Sequence, residues 1–469
     1  MGDLKRTVLV AGGAIASLLA ARWALRQQNK SSPLRTVRPE SEPARRVLIL
    51  GAGFGGLYSA VRIADALRDQ NDTEVLLVDR HNYHLFTPML TQVAGSAVEP
   101  RSVAFPVRRL LRDHRLSVRR SEVRAIDLAA RRVVTGDGDL AYDKLVVALG
   151  SVSNFFGIDA VERYGYPFKS MSDAIGIRNH IVDCFERAAN SSDEAERKRL
   201  LTIVVVGGGP TGVELAASLH DFIHHTLIAG YPNISFQREV RIVLCEAQGR
   251  VLPTLGPDLA REAAGVLRRK AVEVLSNTSI ERVWDGGIAT QDGREIPTST
   301  LVWVAGVKAN PVVAALDLPK GRAGAVVVDE CLRVPGVPGV YALGDSAAYT
   351  DPSNHQPLPA DAKVAIQQAV TVAENVVREL RGEEPRPFAY RGLGEMVSLG
   401  TNAAVANVLG FRLSGALAWL VWRTFYLGRL RGLESKFRVL GDWALGALFG
   451  RYTAEIELPP PVEAAERVA

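Results

Sequence analysis

Residues 206–216, which read VGGGPTGVELA, decide how the rest of the sequence is interpreted. An apolar run precedes them, and Gly207, Gly209 and Gly212 stand at the G-x-G-x-x-G spacing of a dinucleotide-binding turn between a strand and a helix. The first glycine allows the tight turn, the second lets the backbone approach a pyrophosphate, and the third allows close helix packing. Pro210 and Thr211 belong to the same predicted binding turn.

A second fingerprint lies upstream at residues 48–56, LILGAGFGG. Gly51, Gly53 and Gly56 hold the three fingerprint positions, and Phe54 and Gly55 lie between them. The helix that follows would present its N-terminal amides to phosphates. Residues 75–78 form the next predicted strand, and Asp79 ends it 23 residues after Gly56, close to the expected position of a ribose-binding acid. Arg80 follows that acid. The alternative is a chance glycine turn.

Glu246 is the matching acid of the fingerprint at residues 206–216. It ends a predicted strand at residues 241–245, and the 34 residues after Gly212 exceed the usual gap, which residues 220–238 would fill as a helix extension and a loop. An acid at that strand end hydrogen-bonds a free ribose 2′-hydroxyl and repels a 2′-phosphate, so NADH is favoured over NADPH. Arg250 nearby weakens this preference slightly.

Four further positions complete the predicted cofactor sites. Glu214 lies in the first turn of the second fingerprint helix, either as an ordinary helix N-terminal acid or beside a bound nicotinamide. Gly150 and Gly306 each end an apolar strand. Asp345 follows the strand in GVYALGD, where it would contact a flavin ribityl hydroxyl or phosphate, or cap an ordinary helix.

Two dinucleotide sites in one chain suit a flavoenzyme that passes a hydride from a nicotinamide to a flavin. The expected fold is α/β, with two Rossmann-like domains, for FAD and NADH, and the second inserted in the first. The predicted segments are an N-terminal hydrophobic anchor (1–30), a linker (31–44), the FAD domain (45–165 and 316–385), the NADH domain (166–315), a C-terminal membrane-associating or dimerisation region (386–455) and a tail (456–469).

Composition narrows the alternatives. The chain has 469 residues and a net charge of +5. This charge fits an anionic membrane better than nucleic acid, because aromatic residues are few and no nucleic-acid module is present. Cys184, Cys245 and Cys331 are isolated, so neither a metal knuckle nor a redox disulfide is expected, and a reducing compartment fits. His81 and His84 lack a carboxylate cluster and are interpreted as structural or exposed; no metal site is predicted.

Both ends of the chain carry membrane signals. Residues 7–21 are apolar, and arginines and a lysine follow them, so a retained transmembrane anchor would place the protein on the cytoplasmic face. A cleaved signal or transit peptide, or a frayed tail, are the alternatives. Residues 414–427 and 437–448 form basic, tryptophan-containing amphipathic patterns too short to span a bilayer, typical of helices at a membrane surface. A dimer or domain interface is the alternative.

The sequence resembles type II (non-proton-pumping) NADH:quinone oxidoreductases, within the two-dinucleotide-binding flavoprotein superfamily. The resemblance rests on GAGFGG (51–56), NYHLFTPMLTQVA (82–94), GGGPTGVELA (207–216), WVAGV (303–307), YALGD (341–345) and LSGALAWLVW (413–422). It implies FAD at the first fingerprint, NADH at the second, and reduction of a membrane quinone near the flavin.

The resemblance also implies a quinone pocket lined by a PxxAQxAxQQ-like segment. Here Lys363 replaces the first glutamine of that segment and Gln367 matches the second, so both are candidate acceptor-side residues. Lys363 would stabilise anionic charge on a quinone oxygen, or is simply a surface lysine. Thr401 and the pair at residues 391–392 also depart from the family pattern.

Two other functions remain open at this point. One is an NADH-dependent flavoprotein reductase of a protein carrier such as a ferredoxin or rubredoxin. The other is a slow-turnover NADH/FAD redox sensor.

Overall fold

The computed structural model describes residues 44–455, except Leu393 and Leu409. The predicted N-terminal anchor, the linker up to residue 43 and the tail lie outside the described residues. Within the described ranges, no helix combines the length and the apolarity needed to cross a membrane.

The first sheet has five parallel strands, and its strand order shows how the chain returns to it. In spatial order the strands are Val340–Ala342, Lys144–Val147, Arg45–Leu50, Thr73–Asp79 and Ser117–Arg120. Strand Arg45–Leu50 is the middle strand of the sheet. Its residues 47–50 are all apolar and fully buried, as expected for a parallel strand that is covered on both faces. The edge strand Val340–Ala342 comes from beyond the second sheet in sequence, which confirms that one domain is inserted in the other.

The second sheet repeats the design with five parallel strands. Their spatial order is Tyr166–Pro167, Thr300–Trp303, Thr202–Val206, Arg241–Cys245 and Val272–Leu275. A two-stranded antiparallel ribbon, Ser151–Ser153 with Val307–Ala309, carries the chain from the first domain to the second and back. The predicted α/β fold with two Rossmann-like domains is therefore confirmed.

Smaller antiparallel units flank the two domains. Three-stranded sheets are formed by Val123–Asp127, Arg132–Thr135 and Leu140–Ala141, and by Ile280–Trp284, Gly287–Thr290 and Glu295–Pro297. Two-stranded pairs are Tyr83–Leu85 with Ala104–Pro106, Val326–Val327 with Ala347–Ala348, and Thr350–Asp351 with Gln356–Pro357.

Helices pack on both faces of the sheets. The first fingerprint helix is Phe54–Ala66 and the second is Pro210–His225. The other helices are Leu90–Ala94, Pro100–Val103, Val107–Leu110, Ala160–Tyr164, Met171–Asn190, Glu194–Leu200, Phe236–Glu239, Pro257–Arg269, Pro311–Ala314 and Ala362–Leu380. Short 3₁₀ turns lie at Thr87–Met89, Leu227–Gly230, Arg322–Gly324 and Gly344–Ser346. Ser170 and Asp173 form a capping box that fixes the start of Met171–Asn190.

We call residues 395–452 the C-terminal section. It consists of the antiparallel strands Glu395–Ser398, Ala404–Val408 and Phe411–Ser414, and of the helices Gly415–Arg429 and Leu433–Phe449. Its buried residues, including Trp422, Val439 and Trp443, belong to the same hydrophobic core as the second fingerprint helix. The section also bonds to residues 92–102 of the first domain through Asp442 and Trp443. It is therefore packed against both domains, as the domain-interface alternative predicts.

Candidate active site

The first fingerprint turn has the shape that a dinucleotide pyrophosphate requires. Gly51 has φ +98, and a Cβ there would lie 2.3 Å from the Ala148 carbonyl oxygen. A Cβ at Gly56 would lie 1.8 Å from the Gly51 oxygen, so this close helix packing excludes any side chain. At Gly53, in contrast, a Cβ would meet nothing within 4 Å, and no side chain caps the helix that starts there. Free amides therefore face open space, and the turn fits a bound pyrophosphate.

Phe54 and Gly55 form the protein-facing side of this turn. The Phe54 ring lies edge-on to His84, with ring centres 4.9 Å apart, and 5.8 Å from Phe86. A Cβ at Gly55 would come 2.4 Å from Leu343, so the helix start packs tightly on the loop that precedes Asp345.

Asp79 and Glu246 occupy equivalent positions in the two domains. Asp79 accepts hydrogen bonds from the N–H groups of Ala52, at 2.6 Å, and His81, at 2.7 Å. Glu246 accepts from Gly208, at 2.6 Å, and Gln248, at 2.7 Å. Each acid thus fixes the fingerprint turn of its own domain. Since an ionised carboxylate has about four acceptor sites, each retains capacity for a ribose hydroxyl.

The second fingerprint turn repeats the first. Gly207 has φ +114 and a Cβ there would be 2.9 Å from the Ala305 nitrogen, while a Cβ at Gly212 would be 1.8 Å from the Gly207 oxygen. A Cβ at Gly209 would again meet nothing within 4 Å. Pro210 and Thr211 are exposed at the start of the helix. The predicted turn residues are therefore brought together. The long gap before Glu246 holds the end of helix Pro210–His225, the short helical turns Leu227–Gly230 and Phe236–Glu239, and a loop between them, which fits the expected helix extension and loop.

Asp345 lies at the carboxyl end of the first sheet, in the 3₁₀ turn Gly344–Ser346, and not in front of a helix. The strand Ala347–Ala348 follows directly, so Asp345 does not cap a helix. Its carboxylate accepts a hydrogen bond from Ser151 and lies 3.3 Å from the Lys169 ammonium.

Two hydrogen bonds fix the backbone around Asp345. The Gly150 N–H donates to the Ser346 hydroxyl at 3.0 Å, and the Gly344 N–H donates to the amide oxygen of the buried Gln368 at 2.7 Å. Gly150 and Asp345, two separately predicted cofactor-binding residues, therefore lie close together. Arg80 is exposed, and Gly306 lies in the second domain beyond strand Thr300–Trp303.

Glu214 is held by the C-terminal section. Its Oε1 accepts hydrogen bonds from the Ser398 N–H at 2.8 Å and from the Trp422 indole N–H at 3.2 Å. Burial raises the pKa of Glu214 to about 8, although both hydrogen bonds oppose this shift. Because Oε1 accepts both bonds, Oε2 is the oxygen that is available to carry a proton. Glu214 is thus a half-buried acid held by two hydrogen-bond donors from the C-terminal section, unlike an ordinary acid at a helix N-terminus.

Lys363 and Gln367 both fasten one loop. The Lys363 ammonium donates to the Gly394 carbonyl oxygen at 3.0 Å and lies 3.3 Å from Asp361. The Gln367 side chain pairs with both backbone groups of Arg391, each at 3.0 Å. These side chains connect helix Ala362–Leu380 to the entrance of the C-terminal section. Lys363 is therefore not an unpaired surface lysine. Its ammonium could reach a ligand only by giving up the hydrogen bond to Gly394.

Three contributors to the site were missed by sequence reasoning: Ser398, Trp422 and Gln368. Ser398 acts through its backbone N–H, which leaves no signal in the sequence. The amphipathic patterns at residues 414–427 and 437–448 did not indicate that the protein itself covers Trp422 and Trp443. They are 0% and 8% exposed, and the Trp443 indole donates to Gln92 at 2.9 Å. Helical periodicity identifies an apolar stripe without indicating whether protein or lipid covers it.

Of the two histidines singled out in the sequence, His81 is exposed and His84 is structural. His84 is buried, with Nδ1 2.8 Å from the Ala52 carbonyl oxygen, and burial lowers its pKa to about 4. Elsewhere in the described part of the chain, potential ligand atoms of His180, Asp183 and Cys184 lie within 4.8 Å of one another. Burial raises the pKa of the Cys184 thiol to about 11, so this thiol stays protonated at neutral pH. All three cysteines are free.

Comparison with known proteins decides the family. The family model described as pyridine nucleotide-disulphide oxidoreductase matches residues 45–369, and the one described as NDH2 C-terminal domain matches residues 393–452. The type II NADH:quinone oxidoreductase Ndh of Mycobacterium tuberculosis is 35% identical, over 88% of this chain and 90% of its own length. The chain belongs to the type II NADH:quinone oxidoreductase family. The resemblance stated from the motifs is thereby confirmed.

Other members of the family and a solved structure agree. The demethylphylloquinone reductase NdbB of Synechocystis is 31% identical, over 85% of this chain and 97% of its own length. The structure of NDH2 from Plasmodium falciparum in complex with NADH covers 88% of this chain and 100% of its own, with a TM-score of 0.80 at 20% identity. That structural likeness confirms the shared fold.

Proposed function

We propose that this protein oxidises NADH, passes the hydride to FAD and delivers two electrons to a membrane quinone without pumping protons. The family supports this reaction, since its members are named for NADH and quinone. The observation that carries the proposal is the second fingerprint. The open turn at Gly209 and the acid Glu214, which the C-terminal section holds, lie at the start of one helix. The ribose acid Glu246 lies at the end of the neighbouring strand.

The first fingerprint residues would hold the FAD. The amides after Gly53 would bind its pyrophosphate, Asp79 its ribose, and Asp345, beside Gly150, its ribityl chain or phosphate. When bound, FAD supplies the capacity to accept a hydride and to give up its electrons in a separate step. The Lys169 ammonium, 3.3 Å from Asp345, neutralises this carboxylate and would reduce its repulsion of the cofactor phosphates.

The second domain would bind and orient NADH. Its pyrophosphate would lie on the amides of helix Pro210–His225, and Glu246 would select the unphosphorylated ribose. Glu214, one turn into this helix, would border the nicotinamide side. Ser398 and Trp422 of the C-terminal section would hold its carboxyl group in place.

The acceptor side would lie where the C-terminal section meets helix Ala362–Leu380. Lys363 and Gln367 would shape this side through their hydrogen bonds to the backbone of Gly394 and of Arg391. In this arrangement Lys363 would act on a quinone oxygen only by leaving Gly394. The relatives' names include two different quinones, ubiquinone and demethylphylloquinone. The quinone that this site accepts is therefore identified by experiment.

Membrane association would come from one exposed apolar surface. We define the apolar face as the exposed large hydrophobic residues of the two C-terminal helices: Leu417, Leu420, Leu433, Phe437, Leu440, Leu445, Leu448 and Phe449. An exposed face of this kind indicates a membrane or a protein partner. A membrane fits a quinone substrate, and contact between two copies of the chain is the competing outcome. The cytoplasmic side stays a prediction of the charges near the N-terminus.

Stopped-flow absorbance of the FAD-loaded protein tests the proposed function. The protein is mixed with NADH and then with ubiquinone or menaquinone analogues. We expect fast loss of flavin absorbance, followed by fast recovery with at least one quinone. Loss without recovery by any quinone would refute quinone as the acceptor, while absence of loss with NADH would refute the NADH half as well.

A further inference from the structure

Phe156 combines backbone strain with exposure. Its φ of +51 lies in the left-handed region, where a bulky residue is an outlier, and its side chain is 63% exposed. Leu252 and Leu332 share this backbone conformation, with φ +50 and +65, but both are fully buried, so core packing holds them. Phe156 lacks this compensation. Strain without a packing reason is characteristic of functional sites.

The neighbouring residue Asn154 imposes this conformation. Its side-chain oxygen accepts a hydrogen bond from the Phe156 N–H at 3.0 Å. Its backbone carbonyl accepts from the Trp303 indole at 2.9 Å, and its N–H donates to the Gly306 oxygen at 3.3 Å. The turn is thus fastened to the end of strand Thr300–Trp303, and the ring is held in a defined place.

The ring lies at the carboxyl end of the second sheet. A Cβ built at Gly306 would be 2.7 Å from Phe156 Cζ, so the ring rests on this glycine, whose φ is +77. The preceding residue, Ala305, packs against the fingerprint turn at Gly207. The ring therefore borders the crevice outside the strand ends, where a dinucleotide binds in such sheets.

Strand order identifies which half of the dinucleotide meets this ring. Glu246, the ribose acid, ends the strand on one side of the central strand Thr202–Val206 and marks the adenosine side. Strand Thr300–Trp303 pairs with the other edge of that central strand. A dinucleotide whose pyrophosphate lies on the central turn would place its nicotinamide half toward Gly306 and Phe156.

We propose that Phe156 is a positioning residue that forms an aromatic wall for the nicotinamide half of NADH. This inference rests on the proposed function, because it assumes that NADH binds at the second fingerprint. The planar nicotinamide would cover the exposed ring, and the strained turn keeps the ring ready for this contact before NADH arrives. An aromatic contact of this kind favours binding by an amount that corresponds to roughly a three- to tenfold change in Kd.

Calorimetric titration of the FAD-loaded protein with NAD⁺ and with ADP-ribose tests the wall without turnover. ADP-ribose has the adenosine half and the pyrophosphate but no nicotinamide ring. We expect Phe156→Ala to weaken NAD⁺ binding about three- to tenfold and to leave ADP-ribose binding unchanged, while Phe156→Tyr restores NAD⁺ binding. Steady-state KM for NADH should rise in the alanine variant by a similar factor.

Two further variants separate the ring from the backbone. Phe156→Gly removes both the ring and the strain, and should weaken NAD⁺ binding as the alanine variant does. His355→Gly relieves a similar φ of +55 in the hairpin between Thr350–Asp351 and Gln356–Pro357, and should leave both affinities unchanged. Equal NAD⁺ affinity in the wild type and Phe156→Ala, or equal weakening of both ligands, would overturn the wall. Failure of the wild type to bind NAD⁺ would instead overturn the proposed function.

Discussion

At the scale of single residues, Glu214 links protonation to the contact between the second domain and the C-terminal section. Burial raises the pKa of Glu214 to about 8 from the 4.5 that is usual for a glutamate. A folded-state pKa above the unfolded one means that this group stabilises the protein fully below pH 4.5, and that this stability is lost as the pH rises toward 8. Removing the titrating group should remove this loss.

We therefore expect Glu214→Gln to flatten the decline of unfolding free energy between about pH 5 and pH 8. Trp422→Phe should act differently. It removes an indole donor that stabilises the carboxylate, so it should raise the folded-state pKa further. The decline should then extend to higher pH, while its lower end, set by the unfolded state, stays in place. Urea unfolding of the FAD-loaded variants across this pH range measures both effects. Identical pH profiles for Glu214→Gln and the wild type would show that Glu214 does not titrate in this window.

Glu246 carries the second residue-scale prediction, which concerns cofactor choice. Glutamine at this position keeps an oxygen that can accept the Gly208 N–H bond, but it loses the negative charge that would repel a 2′-phosphate. Glu246→Gln should therefore raise the KM for NADH and increase the relative use of NADPH, by about tenfold or more if the charge acts directly. The kcat/KM ratio of the two nucleotides measures it. An unchanged ratio would rule out Glu246 as the ribose acid.

At the scale of elements, the two C-terminal helices divide their apolar residues between two surfaces. Ala418, Trp422, Val439 and Trp443 face the protein core, and the apolar face points outward. The Arg423 guanidinium contacts a tryptophan ring on each helix. It lies 4.0 Å from the Trp419 ring centre and 4.2 Å from the Trp443 ring centre. These cation–π contacts join the two helices and hold the apolar face as one surface.

Leu417 and Leu420 offer a direct test of this face, because they are 59% and 56% exposed and lie on one helix. Replacing both with glutamate should reduce sedimentation with anionic lipid vesicles by tenfold or more, while leaving the fold intact, because no core contact is lost. Glu383→Gln, an exposed change away from the face, serves as the control. Unchanged vesicle binding together with a change in the oligomeric state would assign the face to a second copy of the chain.

The elements also show what could be predicted from the sequence. The glycine fingerprints and their acids were predictable because their spacing along a strand–turn–helix unit is a local property of the sequence. Asp79 and Glu246 stand at the expected strand ends and make equivalent hydrogen bonds to their own fingerprint turns. Ser398 and Trp422 were not predictable, since they approach Glu214 from about 180 to 210 residues away. Phe156 was missed for a different reason. Its importance lies in a backbone angle, which residue type does not reveal. The predicted domain boundaries stay predictions.

At the scale of the whole molecule, one buried carboxylate joins three parts of the chain. Asp221, on the second fingerprint helix, is fully buried and accepts hydrogen bonds from Lys270, from the Thr401 N–H at 2.5 Å and from His220 at 3.1 Å. Arg451, at the end of the C-terminal section, lies 3.9 Å away. A Cβ at Gly400 would be 2.4 Å from this carboxylate, so a glycine is required for the approach.

Asp221 should therefore control how firmly the C-terminal section is attached. Burial alone would raise its pKa, but hydrogen bonds from His220 and Lys270, together with the Lys270 charge, hold the pKa well below the usual value. A depressed folded-state pKa means that this stabilisation is present above about pH 4 and is lost at lower pH, as the carboxylate becomes protonated. The window thus lies on the acid side, opposite to that of Glu214.

Asp221→Asn leaves Lys270 and Arg451 without their buried counter-charge, so we expect a loss of about 3 kcal/mol in unfolding free energy at neutral pH. Glu295→Gln is the matched control, because its partner Arg282 is 3.5 Å away and both side chains are mostly exposed, so a loss below about 1 kcal/mol is expected. Urea unfolding measures both, and limited proteolysis should release the C-terminal section first in Asp221→Asn. Equal stability of the two variants would show that this cluster does not hold the section, and would leave the packing of Trp422 and Val439 as its main attachment.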